Sequence, residues 1–353
     1  MNERHTDSLL PEVPTGERKI EHVRLCLNEE VGSVGVTSGL ENYRFRHNAL
    51  PETDFNEISL ETSFVGMALR TPLLISSMTG GSRATGAINE RLAAAAEDRG
   101  WALGVGSVRA ALEKEELAST FHVRRHAPSI PVIANLGAVQ LNYGFGAEEC
   151  RRAVDIAGAD MLVLHLNGLQ EVFQPEGNTN FSGLLLRIEQ VCRQLHVPVG
   201  VKEVGWGIDG ETASQLLNAG VEFVDVAGAG GTSWSQVEKF RNKDAVRRAA
   251  AEAFAGWGTP TAECITEIRK VSQEAGLIGS GGLRSGVDAA KALALGANLA
   301  GYGRSLLGAA VESEDSLHAA LEQVEFELRT AMFGIGAADV AALRATKRLV
   351  RIA

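Results

Sequence analysis

Short apolar runs recur along this chain, each closed by glycine, proline or a polar residue. They are PLLISSM (72–78), ALGVGSV (102–108), PVIANLG (131–137), MLVLHLN (161–167), PVGVKEV (198–204), FVDVAGAG (223–230), LIGSGGL (277–283) and NLAGYGR (298–304). Continuous apolarity over so few residues predicts parallel strands buried on both faces. The stretches 84–99, 182–195, 210–219, 261–274, 285–295 and 316–333 repeat their apolar positions at helical spacing instead, as Ile88, Leu92, Ala95 and Ala96 do. Successive strand starts lie 30, 29, 30, 37, 25, 54 and 21 residues apart. Six of these steps suit one strand–helix unit, and the long one predicts an insertion near 231–260. Eight strands alternating with helices predict an α/β chain closed as a (β/α)8, or TIM, barrel. An open doubly wound sheet would favour GxGxxG after the first strand, whereas the chain reads TGGSRATG (79–86) there.

The barrel is expected over 72–335, after an N-terminal extension (1–71) and before a C-terminal tail (336–353). Residues 1–15 are polar and expected to be mobile, 18–31 to be helical, and 39–71 to supply short extended pieces that plug the bottom of the barrel. The 353 residues carry 34 Lys plus Arg against 44 Asp plus Glu, a net charge of −10. That balance argues against nucleic acid or an anionic membrane as the main partner. No apolar run reaches the roughly 18 residues of a membrane helix. MNERHTDSLLPEVPTGERK (1–19) lacks the apolar core of a secretion signal, so the expected setting is cytoplasmic. Cys26, Cys150, Cys192 and Cys264 stand far apart with no CxxC pair, which suits inert thiols in a reducing compartment.

In such a barrel, functional side chains lie at the C-terminal ends of the strands and in the loops that follow. The unusual polar residues fall there: Met78 and Thr79, Ser107 and Arg109, Asn135, His165 and Asn167 with Gln170 and Glu171, Lys202, and Thr232 with Trp234. SGGLRSG (280–286) is a glycine-rich turn into a helix, with Arg304 after GYG beside it. Its backbone N–H groups and the helix N-terminus suit a phosphate; a tight turn with nothing bound is the plainer alternative. Glu171, with amides nearby, suits a cation completed by substrate phosphate and water, as Mg2+ often is, or is a solvated loop carboxylate. Lys202 inside the barrel needs an anion: an electron-rich cofactor ring, a Schiff-base substrate, or an ion pair with Asp225. Arg18, Lys19 and His22 share one side of a helix and can face one anion, although such residues are usually solvated.

With these residues laid out, the chain resembles the type 2, FMN-dependent isopentenyl diphosphate isomerases over about residues 17–335. The resemblance rests on ERKIEHVRLCL (17–27), HNALPETDF (47–55), SSMTGG (76–81), GVGSVRA (104–110), ANLGAVQL (134–141), HLNGLQEVFQPEGNTNF (165–181), VKEVGWG (201–207), VAGAGGTSW (226–234) and SGGLRSGVDAAKALALGA (280–297). Gly168 departs from it, standing where proline is expected. The resemblance implies interconversion of isopentenyl and dimethylallyl diphosphate with FMN, Mg2+ and a reductant such as NADPH, without net redox change. It implies that Met78, Thr79, Gly80, Ser107, Asn135, Lys202 and Thr232 contact the FMN ring or ribityl chain, and that Gly281, Gly282, Gly303 and Arg304 hold its phosphate. Arg18, Lys19, His22, Ser107 and Arg109 would meet the substrate diphosphate, with Asn167 and Gln170 lining the substrate and Glu171 holding Mg2+. Lys202, His165, Gln170 and Trp234 would carry the chemistry, Lys202 by keeping reduced FMN anionic and Trp234 by offering a π face to positive charge. A homo-oligomer, tetramer or octamer, is also implied.

Three alternatives are weaker. An FMN-dependent 2-hydroxy acid oxidoreductase should carry a His–Arg pair after the sixth strand, where GAGGTSWSQVEKFR (228–241) has no His. A nucleotide dehydrogenase of the inosine monophosphate type needs a nucleophilic Cys there, and Cys264 falls in a helical pattern. An inactive binding barrel would not need donors at so many strand ends.

Overall fold

The structure, a computed structural model, describes residues 15–352; the polar stretch before Thr15 lies outside them. Eight strands form the barrel: β1 (Leu73–Ile75), β2 (Ala102–Gly104), β3 (Val132–Gly137), β4 (Met161–His165), β5 (Val199–Lys202), β6 (Phe223–Asp225), β7 (Gly276–Ser280) and β8 (Leu299–Tyr302). Each pairs in parallel with the next and β8 pairs with β1, so the sheet closes and the open-sheet alternative is excluded. Every strand but β3 stops short of the apolar run that predicted it. β6 ends at Asp225 rather than 230, and β7 at Ser280 rather than 283. The surplus residues leave the ladder and turn across the mouth, through left-handed backbone at Ala227 (φ 36°), Gly281 (φ 101°) and Gly282 (φ 79°).

The helices follow the apolar spacing. Arg83–Arg99 starts on a reciprocal Ser82–Thr85 cap and stops at left-handed Gly100. Leu184–Gln194, Gly210–Asn218, Thr261–Val271, Gly286–Ala294 and Glu314–Ile335 match the other predicted stretches. Two further helices, Ala147–Ala157 and Arg304–Glu312, complete the outer ring. The insertion after β6 folds as Trp234–Arg241 and Ala245–Ala253, so Trp234 opens a helix instead of riding a loop.

Inside the barrel, large side chains fill spaces left by small ones. A Cβ at Gly200 would lie 2.1 Å from the Phe223 ring, so β5 must be bare there for Phe223 to cross the core. The bottom is closed by the hairpin Thr62–Phe64 and Met67–Leu69. Phe64 and Leu69 pack on Leu74, Ile133, Met161 and Phe223, with the Phe64 and Phe223 rings 5.4 Å apart. Near the C-terminus, Leu349–Arg351 pairs antiparallel with Tyr43–Phe45. All four cysteines are free, and no described helix is long and apolar enough to cross a membrane.

The helix Thr15–Asn28 lies over the mouth, packed between the Trp234–Arg241 and Arg304–Glu312 helices. It begins and ends three residues before the expected 18–31. Leu25 and Val31 dock against Val237 of the insertion, and Gly32 pairs antiparallel with Thr232. The N-terminal segment thereby becomes a wall of the site.

Candidate active site

A cavity of about 760 Å3 opens at the C-terminal ends of the strands. That is within the range of cofactor and ligand pockets, roughly 300–1,000 Å3. Arg18, Lys19, His22, Met78, Thr79, Ser107, Arg109, Asn135, His165, Asn167, Gln170, Glu171, Lys202, Thr232, Trp234, Gly281, Gly282, Gly303 and Arg304 all line it. Gly80 does not. It lies behind Thr79, where a Cβ would meet the Phe121 ring at 2.3 Å, and it serves the turn.

Strands β3 to β6 supply the polar floor. His165 Nδ1 lies 2.7 Å from Asn135 Oδ1. Because that oxygen accepts, Nδ1 carries the proton and Nε2, packed on Gly137, keeps a lone pair. Burial, aided by the Lys202 ammonium, pushes His165 down to about 3, so it is neutral. Lys202 Nζ donates to the Glu203 carbonyl at 2.5 Å and makes no ion pair with Asp225. Asp225 instead accepts from the Ser280 hydroxyl and the Ala227 N–H. Burial lowers Lys202, while Asp225 and Glu203 act in the opposite sense. The Glu203 carboxylate turns back to accept N–H groups of Val204, Gly205 and Trp206 at 2.6–2.8 Å, fixing the loop that follows Lys202.

The loop after β4 becomes the short helix Gly168–Phe173. Gly168 has room for a side chain, its nearest neighbour being Phe181 at 3.6 Å, so losing proline there costs no functional group. Asn167 Nδ2 donates to Glu171 Oε1 at 2.8 Å, and Glu171 Oε2 accepts the Asn178 N–H at 2.6 Å. Burial raises Glu171, against the Asn178 and Asn167 hydrogen bonds. Gln170 Nε2 donates to Glu238 Oε1 at 3.0 Å.

The covering helix brings its basic side chains to the opposite wall. Lys19 Nζ donates to the Ser107 carbonyl at 2.7 Å and stands 5.1 Å over the Phe121 ring. It has no carboxylate partner among the described residues, and burial, with Arg18 adding, pulls it down to about 7. Arg18 reaches Glu176 at 3.4 Å; Arg109 reaches Glu113 at 2.5 Å and Asn178 at 3.3 Å. His22 Nε2 lies 3.1 Å from Glu238 Oε1, off the line of a hydrogen bond, and its ring meets Trp234 edge-on at 5.0 Å.

Glu238 is the residue that sequence reasoning missed. It lies in SQVEKFR, within the insertion expected near 231–260, and its side chain is 0 % exposed. It gathers Gln170, His22 and, at 2.6 Å, Arg241, whose guanidinium also holds Glu21 at 2.9 Å and Glu176 at 3.2 Å. Burial works to raise Glu238, but His22, Arg241 and Gln170 together hold it down to about 2. The i, i+3 spacing of Glu238 and Arg241 was the one available signal.

One phosphate expectation changes. The N-terminus of the Gly286–Ala294 helix is already satisfied: Asp288 accepts the N–H groups of Arg284 and Ser285, and Glu327 accepts that of Gly286. The seat is left to the Gly281–Gly282 turn and the first turn of Arg304–Glu312, where Leu306 N donates to the Gly303 carbonyl and the Arg304 and Ser305 N–H groups precede the first intrahelical acceptor. Arg304 lines the same cavity and donates from Nε and Nη2 to the Cys26 and Glu29 carbonyls at 2.9 and 3.2 Å.

The wall also holds unspent polar atoms. Ser76 Oγ, Thr79 Oγ1 and Asn167 Oδ1 are buried in it with no hydrogen-bond partner among the described residues. Such atoms cost stability unless a ligand or water completes them. Strong donors at one end, an apolar and amide-lined middle and a glycine cradle at the other suit a flavin mononucleotide with an anionic second ligand. Two carboxylates line the cavity, Glu171 after β4 and Glu30 past the end of the covering helix, and no group of three His, Cys, Asp or Glu gathers among the described residues. That donor set fits Mg2+ only with oxygens from a substrate.

Known proteins point the same way. A family model for FMN-dependent dehydrogenases matches residues 160–350. An isopentenyl-diphosphate delta-isomerase of Oceanobacillus iheyensis is 55 % identical over 333 residues, 94 % of this chain and 95 % of that protein. The chain belongs to this isomerase family. The Nostoc relative of the same name is 50 % identical over 338 residues, 96 % of this chain and 97 % of its own length. A solved mandelate oxidase shares the fold alone, at 23 % identity and a TM-score of 0.63, over 90 % of this chain and 92 % of that one.

Proposed function

We propose that the chain is a type 2 isopentenyl-diphosphate delta-isomerase, interconverting isopentenyl and dimethylallyl diphosphate with FMN and Mg2+ and no net redox change. The observation that carries this reading is Lys19, a buried ammonium facing the cavity with a carbonyl and an arene but no anion. Beside it stand Arg18, His22 and Arg109. A diphosphate supplies the missing charge, and Glu171 would hold Mg2+ against its oxygens.

The Gly281–Gly282 turn and the first turn of Arg304–Glu312 would hold the FMN phosphate, with Met78, Thr79, Ser107, Asn135 and Thr232 along its ribityl chain and ring. When bound and reduced, FMN supplies an electron-rich ring with a nitrogen able to exchange a proton; NADPH would be the reductant. Lys202 would balance the negative charge of that ring, and neutral His165 would present a lone pair without adding a competing cation. Moving the double bond means adding a proton at one carbon and removing one at another. Trp234 and the covering helix, which wall the cavity, would exclude water from the five-carbon tail. The chain holds the Gln170 amide there from behind through Glu238, and the Trp234 ring would stabilise developing positive charge. The homo-oligomer, the cytoplasmic setting and the division into extension, barrel and tail belong to the same proposal. The 2-hydroxy acid reading has no His after β6 to take a proton.

The test is anaerobic turnover of isopentenyl diphosphate with FMN and Mg2+, with and without NADPH. The reading requires dimethylallyl diphosphate only after flavin reduction, and many turnovers per NADPH. Reduced flavin without product would return the chain to the oxidoreductase class.

A further inference from the structure

We infer that Arg304 is a positioning residue that couples occupation of the cofactor-phosphate turn to docking of the covering helix, so that FMN completes the substrate-binding wall. The inference rests on the FMN reading above and concerns what Arg304 does beyond holding a phosphate.

The helix Thr15–Asn28 has no basic residue in its own last turn. Its terminal carbonyls carry the negative end of the helix dipole and lack intrahelical donors. Arg304, 275 residues or more away in sequence, supplies the cation and the donors: Nε donates to the Cys26 carbonyl of the last turn at 2.9 Å, and Nη2 to the Glu29 carbonyl just past it, which also accepts the Val31 N–H, at 3.2 Å. Nη1 is left without an acceptor among the described residues, on a side chain that lines the cavity beside Gly281, Gly282 and Gly303. An arginine fork can therefore hold the helix end with one edge while offering its remaining N–H groups to a phosphate. An anion there fixes the guanidinium in its capping pose, so the coupling is positive.

The surrounding backbone transmits the same bias. Ser33 N donates to the Gly231 carbonyl and Ser233 N to the Val31 carbonyl, so the segment after the helix is laced to the loop after β6. That loop meets the phosphate turn at glycine-only distance: a Cβ on Gly231 would lie 2.6 Å from Gly282 N. At 1.5 Å per residue, the capped end lies only about 10–15 Å along the helix from Arg18 and Lys19. Fixing one end of so short a rigid rod fixes the other, and by reciprocity the docked helix tightens the phosphate site.

The experiment compares FMN with riboflavin, which has the ring but no phosphate, at saturation. Amide exchange of residues 18–28 is followed in wild type, Arg304→Ala and Arg304→Lys. Wild-type amides should exchange about two- to fivefold more slowly with FMN than with riboflavin, the range that a charge at a helix end is worth. Arg304→Ala should erase that difference and exchange faster in the apoprotein; Arg304→Lys, a point charge without the fork, should restore FMN affinity more than helix protection. The KM for isopentenyl diphosphate should rise in Arg304→Ala at saturating FMN. Equal protection by both flavins in wild type, or a difference that survives in Arg304→Ala, overturns the coupling. Failure of either flavin to bind overturns the cofactor reading itself and the coupling with it, a result visible in the flavin absorbance before any exchange is measured.

Discussion

Replacing Glu238 by Gln removes one negative charge from a fully enclosed position and changes almost nothing in shape. A carboxyl held near 2 rather than its ordinary 4.5 contributes stability of about 3 kcal/mol at neutral pH. Counting bonds gives a similar figure, since each charge-assisted hydrogen bond is worth about 1.5–3 kcal/mol. Arg241 keeps Glu21 and Glu176, so it is not left unpaired and part of the loss is recovered. The expected destabilisation is therefore about 2–3 kcal/mol at pH 7. The sign of the pH dependence follows from the lowered pKa: the contribution is whole above the unfolded value and disappears as pH falls toward the folded one. At pH 3.5 about 1.4 kcal/mol of it is gone. Equilibrium urea unfolding of the apoprotein, followed by far-ultraviolet ellipticity at pH 7 and 3.5, should show the wild-type advantage shrink by about that amount. A gap below about 0.5 kcal/mol at pH 7, or one that stays constant between the two pH values, would refute the argument. Turnover should fall as well, because Gln170 loses the anion that orients its amide.

Other outcomes follow from the same geometry. Lys19 must bind as an ammonium and is held down to about 7, so kcat/KM should fall as pH rises through that value. Lys19→Arg should move the fall beyond about pH 9, and an unmoved profile would take Lys19 out of the site. Gly281→Ala would put a Cβ 2.2 Å from the Gly228 carbonyl at a φ of 101°, so the variant should lose about 2 kcal/mol or more and elute from gel filtration without flavin. Glu171→Gln should raise the Mg2+ needed for half-maximal turnover by at least about tenfold, since even the outer partners of a metal ligand are worth that much, while flavin affinity stays the same. An unchanged Mg2+ titration would mean that Glu171 does not hold the ion.

The sequence by itself determined the barrel and most of the mouth. Buried parallel strands must be apolar on both faces, so each run announces itself, and its last polar residue marks the end where chemistry collects. Thr79, Asn135, His165 and Lys202 were legible for that reason. What only the tertiary structure decided is how polar groups share partners. Glu238 and Arg241 sit on a helix inside the expected insertion, and they become interior because the Thr15–Asn28, Gly168–Phe173 and Ala245–Ala253 helices pack against it. Arg304 follows a phosphate turn in sequence, yet its fork closes on carbonyls contributed by the far end of the chain. The helix after SGGLRSG looks ready for an anion, but Asp288 and Glu327 already satisfy it. Hydrophobic periodicity reports which face is buried; it carries no record of which donor meets which acceptor, because that depends on distances between residues hundreds of positions apart.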